Sequence, residues 1–229
     1  MSGKLIETTR EGDVFVLAML AGENRFNPDM LGAFDEALSE VEGSEGSAAV
    51  VLTGGGKFFS NGLDLDWMGQ NTNRVGEVVN GLQALYGRLL SFPMTVVTAI
   101  NGHAFAGGGM LALASDQRVM REDRGFFCLP EVDIRIPFSP GMAALVQAKL
   151  TPAVAHEVML TGRRYGGAEA ESAGIVDLTC PEDGVLPAAI ERAAELAGKD
   201  RGTVQAIKQT MYARELELLA QEVDLGPLG

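Results

Sequence analysis

The sequence predicts an α/β domain whose C-terminal part is helical, and three observations carry that prediction. Short apolar runs alternate with stretches of helical spacing up to about residue 130. Two of those runs, 48–53 (AAVVLT) and 94–100 (MTVVTAI), have almost no polar face, the mark of strands covered on both sides. From Pro140 onward the pattern is helical almost without a break.

Each element can be justified in order. Residues 13–20 (DVFVLAML) read as a strand, and Asn27-Pro28-Asp29 supplies a cap, a first-turn proline and a first-turn acid for a helix to about Val41. A polar turn at 43–47 leads into the buried strand 48–53, a glycine loop at 54–56 and an Asn-Gly turn at 61–62. Val75, Val78, Val79, Leu82, Leu85 and Leu89 give 74–91 a helical stripe, which Pro93 ends before the strand 94–100. Asn101-Gly102 turns the chain, and Gly107 to Gly109 lead into a short apolar helix ending near Ser115. Residues 116–121 read as a third core strand and 126–129 as a short one. Helices follow at about 141–149, 152–160, 166–173, 184–198 and 202–222. Residues 1–183 are expected to form the core, and 184–229 a helical region packing on it or on a neighbouring subunit.

Composition narrows the function. A net charge of -13 over 229 residues argues against nucleic acid, whose phosphates demand clustered Lys and Arg. It leaves room for a phosphorylated small molecule, since a few local cations and helix N-termini suffice. There is no apolar run of about 18 residues and no charged-then-apolar leader at Met1, so the expectation is no membrane partner and a cytoplasmic protein. Cys128 and Cys180 lack metal-ligand spacing and read as two reduced thiols, with no metal site.

Two glycine turns hold the candidate chemistry. The first runs Thr53-Gly54-Gly55-Gly56-Lys57-Phe58-Phe59-Ser60-Asn61-Gly62-Leu63-Asp64. It is no phosphate-binding P-loop, because Phe58 follows Gly56-Lys57 where Ser or Thr is needed. It is no nucleophile elbow, because Phe58 stands where Gly-x-Ser-x-Gly needs its first glycine. Two adjacent phenylalanines suggest a loop fixed against the protein body. The second turn, Asn101-Gly102-His103-Ala104-Phe105-Ala106-Gly107-Gly108-Gly109-Met110, lies between a buried strand and a helix, where orphan N–H groups favour negative charge. Either turn alone would be explained by close helix–strand packing.

Together they carry a resemblance. Phe59-Ser60-Asn61-Gly62-Leu63-Asp64, then Asn101-Gly102-His103-Ala104-Phe105-Ala106-Gly107-Gly108-Gly109, then Pro130-Glu131 resemble the crotonase (enoyl-CoA hydratase/isomerase) superfamily in order and spacing. Asn24-Arg25-Phe26-Asn27, Leu160-Thr161-Gly162 and the stretch 168–177 (AEAESAGIVD) extend the likeness to about residues 10–220. Within that superfamily the chain is most similar to plant peroxisomal-type Δ3,Δ2-enoyl-CoA isomerases, through Arg25-Phe26-Asn27-Pro28, the segment 56–62 (GKFFSNG) and Asp123-Arg124-Gly125-Phe126 ahead of Glu131-Val132-Asp133-Ile134. The resemblance implies a ClpP/crotonase-like spiral of ββα units with a C-terminal helical region, assembled as trimers or paired trimers. It implies an acyl-CoA thioester substrate with coenzyme A as part of it and no separate cofactor. It also implies an oxyanion hole from the backbone N–H groups of Leu63 and Gly107, with Arg25, Ser60, Asn61, Gly62, Asp64, Gly108 and Met110 beside the substrate.

The carboxylates decide between reactions. In this family hydration uses two glutamates sharing a water, one three residues past the oxyanion glycine and one in the Pro-Glu segment. Here the first position is Met110 and the second Glu131. Loss of one acid/base group should cost hydration much of the roughly 10²–10⁴-fold such a group supplies. One base suffices to move a proton from carbon 2 to carbon 4, so isomerisation is the expected activity. Hydration, another crotonase-type reaction such as thioester cleavage or decarboxylation, and a non-catalytic acyl-CoA-binding role are the alternatives. Phe126 to Pro130 and Ile134 to Phe138 surround Glu131 with apolar residues, and burial would raise its pKa toward that of a working base. Asp133 is the fallback base, while Asp64 and Asp66 read as a helix cap and a first-turn charge. His103 reads as a turn residue and His156 as a helix-surface one. Met68, Met110, Met142 and Met159 read as core or tunnel lining. Lys57, Arg25 and Lys208 could meet CoA phosphates, with solvated surface cations as the plainer reading. The ending Gly226-Pro227-Leu228-Gly229 is not a peroxisomal Ser-Lys-Leu signal.

Overall fold

The computed structural model of the chain describes residues 4–223; the two chain ends discussed above lie outside them. Nine strands and eleven α-helices are present among the described residues. Strands β1 (Ile6–Glu11), β2 (Val14–Met19), β3 (Ala49–Gly54), β5 (Val96–Ile100), β7 (Gln117–Arg121) and β9 (Leu178–Cys180) form one sheet in the order β1-β2-β3-β5-β7-β9. Only the β1–β2 pair is antiparallel. Three short strands, β4 (Phe58–Ser60), β6 (His103–Phe105) and β8 (Phe127–Cys128), form a second, parallel sheet. The chain therefore repeats one unit: a long strand, a short strand, then helix. Three such turns bring β4, β6 and β8 side by side, and this is the crotonase spiral.

Helices cover both faces of the large sheet. Phe15, Leu17, Met19, Val50, Leu52, Val96 and Ile100 face α1 (Pro28–Glu42), α3 (Val75–Leu90) and α4 (Gly107–Ala114) in one core. Val14, Val16, Ala49, Val51, Val97, Ala99 and Val119 face α9 (Glu182–Leu196) in another. Alternate side chains of one strand thus enter two cores, which is why those strands read as continuous apolar runs. Asn27 caps α1 by accepting from the Met30 N–H. Of the helical region 184–229, α9 belongs to the sheet's second layer, through Val185, Ala189, Ala193 and the following Ala197. Among the described residues no helix is long and apolar enough to cross a membrane.

Four strands differ from the sequence reading by their presence. β1 is an edge strand with only Ile6 buried, so no apolar face announces it. β4, β6 and β9 have three residues each, too few to show alternation. The expected helix 202–222 is two helices, α10 (Arg201–Met211) and α11 (Ala213–Leu219), broken at Tyr212. No glycine or proline marks the break. It is tertiary: α11 packs on α3 and α6 (Pro140–Lys149), while Lys208 ties α10 to the sheet. Lys208 is no surface cation. It is 7% exposed, donates to the Met94 carbonyl at 2.8 Å and pairs with Asp116 at 2.5 Å.

Candidate active site

The first glycine turn is fastened by buried Asn24. Its side chain accepts from the Ala21 N–H and donates to the Phe58 and Phe59 carbonyls, and its own carbonyl accepts from the Ser60 hydroxyl at 2.7 Å. Phe59 is fully buried, the anchor its aromatic character suggested. Beyond Gly62 the chain forms a parallel bridge to Phe26, made by the Phe26 N–H to the Gly62 carbonyl and the Asp64 N–H to the Phe26 carbonyl. In a parallel bridge only one residue of the pair turns both its groups inward. Leu63 is the other one, and its N–H is left pointing away.

The second turn meets the first face to face. Gly62 sits at φ +80°, and a Cβ there would stand 2.9 Å from the Ala106 Cβ and 3.1 Å from the Gly107 nitrogen. A Cβ at Gly108 would stand 2.5 Å from the Ser60 carbonyl oxygen. Ala106 adopts φ 49°, ψ −121°, a left-handed backbone that a residue with a Cβ avoids at a cost of order 1–3 kcal/mol. That strained residue sets the orientation of the peptide that follows, and so aims the Gly107 N–H. Among the described residues, neither the Leu63 nor the Gly107 N–H donates to a protein acceptor.

Both residues line a cavity of about 550 Å³. Its walls are apolar: Met68, Val75, Val79, Leu82, Met110, Ile136, Phe138 and Met142 among them. The methionines at 68, 110 and 142 are thus the tunnel lining expected of them, and Met159 packs on the core. Among the described residues three titratable ones reach the lining, Arg25, Asp66 and Glu131. Arg25 and Asp66 stand together at a wall shared with a second cavity of about 520 Å³, and pair at 2.7 Å; Arg25 also pairs with Glu23.

Glu131 opens the short helix α5 (Glu131–Ile134) and is 6% exposed. Its Oε2 is buried and has no hydrogen-bond partner among the described residues. Burial in these apolar walls pushes its pKa from 4.5 to about 7. Asp133, the fallback, is exposed and lies against Gly162, away from the cavity.

Other predicted site residues divide clearly. Asn61 lines the cavity and donates to Glu23. Ser60, Gly62 and Gly108 stand behind the wall, where they lock the two turns together. Asp64 caps α2 (Leu65–Gln70) through the Trp67 N–H, as read from sequence, and faces the second cavity. His103 is a strand residue and no turn residue: its ring packs among Phe58, Phe105 and Phe126 at centroid distances of 5.0–5.7 Å. Burial and the nearby Lys57, Arg124 and Arg164 lower its pKa. His156 is exposed on α7 (Pro152–Thr161), and Lys57 is exposed beside the Phe58 ring. Sequence reading missed Tyr86. This fully buried residue of α3 donates its hydroxyl to the Gly107 carbonyl at 2.8 Å.

Two unpartnered amides and one buried carboxyl, delivered to an apolar cavity by a ββα spiral, suit a reaction in which negative charge develops on a substrate oxygen as a proton leaves carbon. The sequence model of the Enoyl-CoA hydratase/isomerase family matches residues 13–225, and the chain belongs to that family of enzymes. More particularly, it is similar to the peroxisomal enoyl-CoA delta isomerase 2 of Arabidopsis thaliana, 36% identical over 93% of this chain and 94% of that one. Among solved structures it is similar to the human mitochondrial delta3-delta2-enoyl-CoA isomerase, with a TM-score of 0.86 and 25% identity, covering 93% and 85% of the two chains. It is likewise similar to an enoyl-CoA hydratase of Mycobacterium marinum, with a TM-score of 0.85 and 28% identity over 94% of both. Within the family, isomerase is favoured over hydratase.

Proposed function

We propose that the protein converts 3-enoyl-CoA to trans-2-enoyl-CoA, with Glu131 as its single acid/base. The thioester oxygen accepts hydrogen bonds from the Leu63 and Gly107 N–H groups. Glu131 takes a proton from carbon 2, charge moves onto that oxygen in a dienolate, and Glu131 returns the proton to carbon 4. Fixed donors where charge develops are the largest lever available; losing one such donor typically costs about 2.7–4 kcal/mol. A carboxyl with its pKa near 7 suits both halves of the transfer, since it is neither too weak to accept nor too strong to return.

The observation that carries the reading is Met110. It lines the cavity where hydration by two glutamates would need the other one, and a thioether can neither give nor take the proton that step moves. With Met110 there, Glu131 is the one buried titratable residue of the lining among the described residues. The substrate supplies coenzyme A itself. Assembly as trimers or paired trimers belongs to the same proposal and is read by sedimentation.

Purified protein given 3-hexenoyl-CoA should build the absorbance of the conjugated thioester. Given crotonyl-CoA, it should form little 3-hydroxybutyryl-CoA. Faster hydration than isomerisation would reverse the assignment in favour of a hydratase. Binding of both thioesters without turnover would make the chain a non-catalytic acyl-CoA binder.

A further inference from the structure

We propose that Tyr86 is a positioning residue that holds the Gly107 amide in its catalytic orientation; the proposal rests on the isomerase reading above. Helix α4 opens on three consecutive glycines, the residue type that loses most backbone freedom on ordering. A hole built there is preorganised only if something outside the helix fixes it. The preceding residue is Ala106 in a left-handed conformation, which persists only where the surroundings over-determine it. Residues 106–110 receive one side-chain hydrogen bond among the described residues, and it is Tyr86 Oη to the Gly107 carbonyl.

The hydroxyl also touches the same residue sterically. A Cβ at Gly107 would stand 3.2 Å from Tyr86 Oη, 2.9 Å from Leu82 Cδ2 and 3.5 Å from Phe26 Cδ2. The Gly107 backbone is therefore confined by packing on its α-carbon and by a directional bond on its carbonyl. Leu82 and Tyr86 are four residues apart on α3, so one helix face supplies both constraints. Rotation of the Gly107 backbone that turned its N–H out of the hole would stretch the tyrosine bond and leave a buried carbonyl short of a donor. Tyr86 is fully buried, and burial raises its pKa well above 10, with the nearby Glu131 charge adding to the rise. It stays a neutral donor wherever the enzyme works.

Tyr86→Phe removes the hydroxyl and little else. Removing an oxyanion donor outright typically costs 10²–10³-fold, so misaiming one is expected to lower kcat about tenfold with KM nearly unchanged. The direct readout is the carbonyl stretch of bound butyryl-CoA carrying ¹³C at the thioester carbon. Polarisation in the hole lowers that frequency on binding; Tyr86→Phe should lose a clear part of the shift. Tyr165→Phe is the control for losing a buried-ring hydroxyl bond elsewhere, since its hydroxyl donates to Glu157 at 2.6 Å; it should keep the shift and kcat. If Tyr86→Phe keeps kcat within twofold and the full frequency shift, the positioning role is refuted while the isomerase reading stands. If the wild-type protein itself shows neither turnover of 3-hexenoyl-CoA nor a shift, the underlying reading fails.

Discussion

Replacing Glu131 by Gln should abolish isomerisation and, above pH 7, make the protein more stable. Burial holds the folded carboxyl near pH 7 against 4.5 for an ordinary one. The fold therefore prefers the protonated form. That preference is fully present below 4.5, where the unfolded carboxyl is protonated too, and is lost as pH rises to about 7. The gap, at about 1.36 kcal/mol per pH unit, amounts to about 3 kcal/mol of stability missing from the wild type at pH 8. Glutamine never ionises and escapes the loss. For a chain of this length a kcal/mol moves Tm by about 2–4 °C, so the variant should melt about 6–12 °C above wild type at pH 8. At pH 5 the difference should shrink to about 1 kcal/mol or less. Substrate-free thermal melts at both pH values, paired with the 3-hexenoyl-CoA assay, read both effects. A variant that keeps full activity, or that melts no higher than wild type at pH 8, would refute the reasoning about Glu131.

The working form of the base is the carboxylate, so kcat/KM should climb with pH through about 7 and flatten above it, and a pH–rate profile with a flat acid limb would contradict this. Gly108→Ala should push Ser60 and the second turn apart, since its Cβ has 2.5 Å where a carbonyl oxygen already stands. We expect about 1–3 kcal/mol lost in melting and a larger proportional loss in kcat than in KM. Lys208→Met leaves buried Asp116 without its cation and should lower stability by about 3 kcal/mol in denaturant titrations, with KM for acyl-CoA unchanged because Lys208 does not reach the cavity.

Strands β2, β3 and β5 of the large sheet were legible because both their faces are buried and their runs are largely apolar. Of the second sheet only β8 was foreseen, within 126–129; β4 and β6 were not, because they are three residues long and their pairing is entirely long-range. His103 was misread for that reason: Asn101-Gly102 does turn, but the next residue is already in β6. Glu131 was legible through its apolar flanks, which forecast the burial that perturbs it. The unpartnered amides of Leu63 and Gly107 were placed by motif; the reasons for them, a bridge to Phe26 and a strained Ala106, are three-dimensional. Tyr86 carried no signal, since a tyrosine on a helix stripe reads as core, and nothing local says that its hydroxyl meets a carbonyl 21 residues on. Lys208 illustrates the converse. A lysine in a largely polar helix reads as solvated, and only its pairing with Asp116, 92 residues earlier in the chain, shows otherwise.

The central claim is that one carboxyl moves one proton between two carbons in a cavity where, among the described residues, no other buried titratable group lines the wall. Substrate deuterated at carbon 2, converted in ordinary water and examined by NMR after partial turnover, tests it most directly. The account predicts deuterium at carbon 4 of the trans-2-enoyl product, carried there by Glu131. Product with carbon 4 wholly protonated from the first turnovers would mean that a second acid or solvent delivers that proton, and would contradict it.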